Sequence, residues 1–185
     1  MSEAIKITAP FTTEVAQTLK AGDRVLISGT IIAARDAAHK ALTEALAKGE
    51  KLPVDLVNQT IYYLGPSPAK PGDPIGSAGP TTSGRMDKYT PTILDQGITG
   101  MIGKGYRSPE VIESIVQHKA VYMVAVGGAA AFIAKSIKKY EVLAYPELGP
   151  EAIARLTIED FPAIVAIDSK GTNFYTIGQE PYKEI

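Results

Sequence analysis

Short apolar runs and amphipathic segments follow one another along the chain, and their spacing predicts alternating strands and helices. Apolar or β-branched runs bounded by turn residues predict strands at 5–9, 24–30, 59–64, 100–102, 121–126, 141–144 and 163–168. Helical spacing of apolar residues predicts helices at 12–21, 33–48, 86–96, 109–118 and 150–155, and a further helix from Gly127-Gly128 to Lys138. This alternation favours an α/β core over an all-α or all-β one.

Capping residues mark several of the predicted helix ends. Ser108 precedes Pro109 and predicts the start of the helix at 109–118. Thr12 or Thr13 caps the first helix, which Gly22 ends. Pro91 either kinks the helix at 86–96 or marks its true first turn.

The predicted elements form one domain that covers residues 1–185. The segment 65–79 is dense in proline and glycine, but neither side of it forms a complete set of elements, so it is read as a structured loop or crossover. The expected fold is α/β with three layers, or with one additional β layer.

Composition narrows the functional classes. Hydrophobic residues make up 45% and charged residues 21%, which is typical of a folded globular chain. A net charge of −1 argues against broad electrostatic binding to nucleic acids or anionic membranes. The segment 1–10 has no basic region followed by an apolar stretch, and the apolar run 120–134 is too short to span a bilayer, so a cytoplasmic location is expected.

The chain has no cysteine and two histidines, His39 and His118. Thiol nucleophiles and cysteine-ligated zinc or iron–sulfur sites within the chain are therefore excluded. No metal ligand is assigned to this chain, and any metal in its chemistry must be held by a partner.

The segment 79–87, GPTTSGRMD, joins two glycines, three hydroxyl groups and Arg85 in front of a predicted helix. Backbone amides at a helix start attract anions, and Arg85 offers a planar, bidentate partner for a carboxylate. Thr81 and Thr82 add short-range donors and acceptors. The alternative is a capped turn with Arg85 on the surface.

Lys104 stands between two glycines directly after a predicted strand, in the segment GKGYRS at 103–108. This position indicates close approach of the backbone to a ligand, although a solvated loop lysine is the ordinary alternative. A phosphate-binding P-loop is excluded, because Ile98 replaces its first glycine and Gly105 follows the lysine in place of serine or threonine.

Arg35, Asp36 and His39 lie at the start of the helix predicted after the second strand. Asp36 suits the first helical turn, and Arg35 and His39 are spaced to share one face. The alternative is a surface Arg–Asp pair with His39 packed among alanines, and packing is also favoured for Gly127-Gly128. If Arg35, Arg85 and Lys104 converge, they suit a small polyanion such as a dicarboxylate.

Four segments together resemble a known family: GPTTSGRMD (79–87), ISGTIIAARDAAH (27–39), GKGYRS (103–108) and AVGGAAA (125–131). They resemble, in the same order, the β subunit of class I, iron–sulfur-dependent fumarate hydratase, which is also the C-terminal domain of single-chain class I fumarases. The β subunit of L-tartrate dehydratase is a close relative. The pair Gly84-Arg85 resembles the fumarase form more than the tartrate dehydratase form.

The resemblance implies a swivelling β/β/α domain and a partner α subunit that carries a [4Fe–4S] cluster, in a heteromer expected to be α2β2. It implies that Arg35, Arg85 and Lys104 bind the substrate carboxylates and that Thr81 is the base that removes a proton from malate, with Thr82, Asp36 and His39 in support. A threonine hydroxyl is a poor base unless cations stabilise its alkoxide or a carboxylate relays the proton.

Three functions stay open from the sequence. The first is the β subunit of a fumarate hydratase, a hydro-lyase that is active only with its partner. The second is a tartrate dehydratase or another hydro-lyase of hydroxy-diacids. The third, of a different class, is an anion-binding or regulatory module without catalysis, with a purely structural subunit as its simplest form.

Overall fold

One seven-stranded sheet organises the computed structural model, which describes residues 3–183; residues 1, 2, 184 and 185, which the predicted domain and N-terminal segment include, lie outside the described part. The strands are β1 (Ile5–Ala9), β2 (Arg24–Ala33), β3 (Thr60–Tyr62), β4 (Gly100–Gly103), β5 (Val121–Val124), β6 (Ile137–Ala144) and β7 (Ile153–Ile167). The sheet order is β1-β2-β3-β4-β5-β7-β6.

The α-helices are α1 (Thr13–Thr18), α2 (Asp36–Ala47), α3 (Thr90–Leu94), α4 (Pro109–His118), α5 (Ala130–Ala134) and α6 (Phe174–Ile177). Three 3₁₀ helices span Ser83–Met86, Pro146–Glu151 and Glu180–Tyr182. This mixture of strands and helices confirms the predicted α/β class. No helix within residues 3–183 combines the length and apolarity needed to cross a membrane.

The long strand β7 partly closes the sheet. Strands β1 to β5 run parallel to one another, whereas β7 runs antiparallel to β2, β5 and β6. Its pairing with β2 extends from Ile164 opposite Arg24 to Ala154 opposite Ala33, with an irregularity near Gly29. A right-twisted sheet can close in this way when one strand is long enough to pair on both of its edges.

Neighbouring residues of a strand belong to two different hydrophobic clusters, because successive side chains of a strand point to opposite faces of the sheet. Tyr62 belongs to one cluster with Phe161, whereas its neighbour Ile61 belongs to the other. Leu42 of α2 and Ile115 of α4 pack in the second cluster, so these helices cover that face. The sheet thereby lies between two packed layers of side chains.

Helix α4 confirms the prediction at 109–118 at both ends. The Ser108 hydroxyl accepts a hydrogen bond from the Val111 amide at 3.4 Å, and Pro109 is the first helical residue. Val111 and Ile115, four residues apart, are buried. The capping residues and the buried apolar positions thus indicate the same helix, so local sequence and tertiary packing agree here.

The predicted helix at 150–155 is wrong, because β7 begins at Ile153 and only the 3₁₀ helix Pro146–Glu151 precedes it. Pairing of β7 with β2 and β6 outweighs the helix propensity of its first residues. The helix predicted to reach Lys138 ends at Ala134, since β6 starts at Ile137.

Three other predicted helices have shifted ends. The first helix ends at Thr18, before Gly22, because Leu19 is already extended. The segment 86–96 forms a helix only from Thr90, with Pro91 in its first turn, where a missing N–H costs nothing. The helix predicted from residue 33 starts at Asp36, since Ala33 completes β2.

Candidate functional site

The three predicted cations lie where parallel strands end. Arg35 follows β2 and Lys104 follows β4, and Arg85 lies in the loop that crosses this edge. The carboxyl ends of parallel strands are the usual ligand-binding edge of such sheets. The fold thus brings the segments 35–39, 79–87 and 103–108 to one edge of the sheet.

Backbone hydrogen bonds tie the loop 79–87 to this edge. The Thr81 amide donates to the Tyr63 carbonyl at 2.8 Å, and the Ser83 amide donates to the Lys104 carbonyl at 2.9 Å. Thr82 and Lys104 pair as an isolated parallel bridge. Thr81 is therefore half-buried beside β3, while Thr82 and Lys104 are exposed next to each other.

The polar groups of two side chains in this region have no partner in the part of the chain that the structure describes. The Thr81 hydroxyl makes no hydrogen bond within residues 3–183, and the Lys104 amine has no acidic partner there within salt-bridge distance. The alkyl chain of Lys104 passes Gly127, where an added Cβ would lie 3.8 Å from Lys104 Cδ. Their free donor and acceptor atoms make Thr81 and Lys104 candidates for contact with a ligand.

Asp36 joins two of the three predicted cations. Its Oδ1 lies 2.8 Å from Arg85 Nε, and its Oδ2 lies 3.2 Å from Arg35 Nε. Asp36 is the first residue of α2, as expected for an acidic residue near the positive end of a helix. One carboxylate therefore fixes the spacing between Arg35 and Arg85.

The two arginines differ in exposure. The Arg35 side chain is 22% exposed, whereas that of Arg85 is 52% exposed. Arg85 pairs with Asp36 through Nε, and no other acidic residue within residues 3–183 lies within salt-bridge distance of the guanidinium, whose outer edge is formed by the two terminal nitrogens. That edge has the fork geometry that binds a carboxylate through two hydrogen bonds.

Glu151 is a site neighbour that the sequence did not reveal. Its Oε1 lies 2.9 Å from Arg35 Nη2, and its Oε2 accepts a hydrogen bond from the Ala37 amide at 2.8 Å. Glu151 is the last residue of the 3₁₀ helix Pro146–Glu151 and lies 114 residues from Ala37 along the chain. No local signal identifies such a contact, because only the closure of the fold brings the two segments together.

His39 is buried on α2 and lies 3.0 Å, through Nδ1, from the Arg35 carbonyl oxygen. Because a carbonyl only accepts, the ring donates from Nδ1. Its ring also packs edge-on against Tyr63, with centroids 5.3 Å apart. Burial lowers the pKa of His39 to about 4, so the ring is neutral at pH 7 and holds the backbone of Arg35.

A buried ion pair under the loop was also not assigned a role from the sequence. Arg107 is fully buried and its Nε lies 2.7 Å from Asp87 Oδ1. Its other nitrogens donate to Thr90 Oγ1 at 2.7 Å and to the Tyr63 hydroxyl at 3.2 Å. Asp87 Oδ2 accepts from the Ser108 amide. The only sequence signal was the presence of Asp87 and Arg107 within the segments 79–87 and 103–108.

Ser83 connects the loop to the strand below it. Its hydroxyl accepts from the Lys104 amide at 3.1 Å and lies 2.8 Å from the Tyr122 hydroxyl. A Cβ added at Gly103 would lie 2.0 Å from Ser83 Oγ, so only glycine fits there. Burial raises the pKa of Tyr122, which keeps its proton in this network.

Gly127 and Gly128 form a turn before α5 and do not start the helix themselves. Gly128 has a φ of 85°, and a Cβ added at Gly79 would lie 3.0 Å from the Ala130 side chain. Turn geometry and close packing explain these small residues. Among residues 3–183, no group of three or more acidic or histidine side chains is arranged to hold a metal ion.

The fold and the site define an α/β module that presents linked arginines and a lysine at the carboxyl edge of its sheet. Comparison with known proteins specifies this class further. A sequence model of the family described as Fumarase C-terminus matches residues 1–178, and the chain belongs to this family. The resemblance inferred from the four sequence segments is confirmed.

Curated relatives include enzymes and a subunit. Fumarate hydratase class I, anaerobic, of Escherichia coli is 44% identical over 154 residues, which are 82% of this chain and 28% of that protein. Fumarate hydratase 2 of Leishmania major is 43% identical over 157 residues, 84% of this chain and 28% of that protein. The chain thus spans little more than a quarter of these two enzymes.

A third relative has nearly the same length as this chain. It is the putative L(+)-tartrate dehydratase subunit beta of Methanocaldococcus jannaschii, which is 38% identical over 174 residues, covering 90% of this chain and 89% of that protein. The module therefore occurs both as part of longer enzymes and as a chain named as a separate subunit.

Proposed function

We propose that this chain is the β subunit of a class I fumarate hydratase, which interconverts fumarate and (S)-malate together with an α subunit. The observation that carries the proposal is the Asp36-linked pair of Arg35 and Arg85, at the same sheet edge as Lys104, in a member of the fumarase C-terminus family. Relatives named class I fumarate hydratase support this substrate.

Arg85, Arg35 and Lys104 bind the two carboxylates of the substrate in this proposal. The free terminal edge of Arg85 suits bidentate binding, and the exposed Lys104 amine suits a single charged contact. The site contains three cations but also the carboxylates of Asp36 and Glu151. A dianionic substrate is therefore not balanced by this half alone, which supports a contribution of positive charge from another half.

Thr81 acts as the base in this proposal. In malate dehydration its hydroxyl oxygen takes a proton from C3, and the charge spreads into the adjacent carboxylate, which the cations stabilise. The hydroxyl at C2 leaves as hydroxide, which becomes the product water when the proton taken by Thr81 is passed on to it and the base is regenerated. In hydration these steps reverse, and the proton returns from Thr81 to C3. The alkoxide form of Thr81 needs these cations or a relay to a carboxylate of the other half. Thr82, Asp36 and His39 support the loop and the arginines.

We place a [4Fe–4S] cluster in the α subunit, because this chain has no cysteine to ligate it. The cluster supplies a Lewis acid for the substrate oxygens. In this proposal the chain is a single domain over 1–185, a three-layer swivelling β/β/α unit in an α2β2 heteromer. The cytoplasmic location expected from the sequence stays a prediction.

Coexpression of this chain with a cysteine-containing α subunit, followed by iron analysis and an assay of fumarate loss, tests the proposal. We expect hydratase activity from the iron-loaded pair and none from this chain alone. Hydratase activity of the chain alone in the absence of iron would contradict the proposal.

A tartrate dehydratase is the second candidate, because the relative named as its β subunit matches this chain over nearly its whole length. Malate and L-tartrate assayed side by side on the reconstituted pair distinguish the two. Ligand binding that depends on Arg85, without turnover by any pair, would instead indicate the anion-binding module.

A further inference from the structure

The carboxylate of Glu151 contacts both the Arg35 side chain and the start of helix α2. One oxygen binds Arg35 Nη2 at 2.9 Å, and the other accepts the Ala37 amide in the first turn of α2. The residue that precedes the helix, Arg35, makes no side-chain cap. Glu151 therefore supplies the missing cap and holds the guanidinium that starts the segment.

The backbone at Gly65 confines Arg35 from another side. A Cβ added at Gly65 would lie 2.6 Å from Arg35 Nη1 and 3.0 Å from its Cδ. Together with Asp36 on Nε and Glu151 on Nη2, this contact leaves the side chain little freedom. Arg85, by contrast, has one acidic partner within residues 3–183 and is more exposed.

The backbone before Glu151 is shaped for this contact. Gly149 interrupts the 3₁₀ helix Pro146–Glu151 with a φ of 56° and a ψ of −122°, a conformation that glycine adopts readily. Glu147, on the other side of this interruption, is exposed and makes no ion pair within residues 3–183. The two glutamates of one short helix thus have different surroundings.

We propose that Glu151 is a positioning residue that, with Gly65, fixes the guanidinium of Arg35 for a substrate carboxylate. This inference rests on the proposed function of Arg35 and adds two residues to the same site. Glu151 acts through Arg35 and does not itself contact the substrate. Its negative charge opposes a dianion, but screening makes that effect small at a partly exposed site, whereas a shift of about 1 Å in a binding group costs up to about a hundredfold in rate.

The test compares Glu151→Gln, Gly65→Ala and the control Glu147→Gln in the reconstituted enzyme. Glutamine keeps one acceptor oxygen, so it can serve Arg35 or Ala37 but not both. We expect Glu151→Gln and Gly65→Ala each to raise KM by about tenfold and to lower kcat/KM by about 10–100-fold. Glu147→Gln should match the wild type in both constants and in thermal stability.

The Arg35→Ala background separates positioning from a purely structural role. There, Glu151→Gln and Gly65→Ala should cause no further change in KM, because the group that they position is absent. A further loss in that background would overturn the inference, as would a Glu151→Gln enzyme with a lower Tm but wild-type KM.

Calorimetric titration with succinate, a dicarboxylate that the enzyme cannot hydrate, gives a readout that does not need turnover. We expect about tenfold weaker succinate binding in Glu151→Gln and Gly65→Ala. Unchanged or tighter binding in both variants would overturn the inference. Absence of hydratase activity in the wild-type pair, with these binding losses intact, would refute the proposed function and leave the inference standing.

Discussion

Asp36 Oδ1 lies 2.8 Å from Arg85 Nε, and Asp36 is the one acidic residue within salt-bridge distance of Arg85 in residues 3–183. The same carboxylate holds Arg35 through its second oxygen. Asp36 thus sets the distance between two guanidinium groups that would otherwise repel each other. A neutral side chain of the same shape cannot do this for both arginines.

Replacing Asp36 with asparagine should therefore impair substrate binding. The amide offers one acceptor oxygen, and its NH2 group cannot accept from the second arginine. We expect Asp36→Asn to raise KM for malate by about tenfold, since misplacement of a binding group outweighs a screened gain in positive charge. Steady-state kinetics check this, with Asp55→Asn as the control, because Asp55 is exposed and its side chain bonds within its own loop to the Val57 amide. A lower KM would contradict the prediction.

Removal of the Thr81 hydroxyl should separate catalysis from binding. Thr81→Val keeps the shape but has no proton acceptor, so kcat should fall by about a hundredfold or more while KM stays within about threefold. Thr81→Ser, which keeps the hydroxyl, is the matched control and should retain most of the activity. Equal rates for valine and serine variants would show that Thr81 is not the base.

The buried Arg107 should be essential for stability. Arg107→Ala leaves Asp87 without its charged partner, and removal of one member of a buried ion pair costs about 3–5 kcal/mol. We expect a loss of this size in the free energy of unfolding, measured with urea. Arg24→Ala, at an exposed arginine, should change it by less than about 0.5 kcal/mol. Equal losses in the two variants would contradict the assignment.

Gly103 and Gly84 offer a matched pair of alanine substitutions, because an added methyl group is crowded at Gly103 but not at Gly84. Gly103→Ala places a methyl group against Ser83 Oγ and the Tyr63 ring, which should cost about 1–3 kcal/mol of stability. Gly84→Ala meets nothing closer than 3.8 Å and should be nearly neutral for stability. Urea unfolding of both variants checks this, and a neutral Gly103→Ala would show that the loop can move away from β4.

His39 should make stability depend on pH. The pKa of His39 is about 4 in the folded chain and 6.5, the ordinary value, in the unfolded chain. Between these two pH values, protons therefore bind preferentially to the unfolded chain. The free energy of unfolding therefore includes a pH-dependent part from His39 that is fully present above about pH 6.5. This part is lost as the pH falls toward about 4, and it amounts to roughly 3 kcal/mol. The wild type should therefore lose more stability than His39→Gln between pH 7 and 4.5, whereas the difference between the two should be constant from pH 7 to 8. Parallel curves over the acid range would contradict this.

The sequence predicted those features that depend on neighbouring residues. Ser108 and Pro109 marked the start of α4, and glycines and hydroxyls marked the loop at 79–87. Asp36 was predicted in the first turn of its helix, and the structure shows it between Arg35 and Arg85. That these segments meet at one edge of the sheet was a hypothesis from the sequence, because spacing along the chain does not show proximity.

Contacts between distant segments could not be predicted. Glu151 reaches Arg35 only because β7 folds back along β2, and its own surroundings in the sequence had indicated a helix at 150–155. Arg107 and Asp87 lie within two segments whose motifs stand out in the sequence, but nothing local indicates that an arginine is fully buried. Such pairings are decided by the register of the sheet, which sequence periodicity does not determine.

The pairing of β7 with β2 also sets the order in which the chain can fold. Ala33 meets its partner Ala154 only after most of the chain has been synthesised, and β5 likewise waits for Ile164 and Val165. Such non-local contacts slow folding, because the intervening chain loses entropy before the contacts form. On the ribosome, β2 keeps an unpaired edge until the last strand emerges, so this edge is where a nascent chain is most exposed to aggregation or to binding by chaperones.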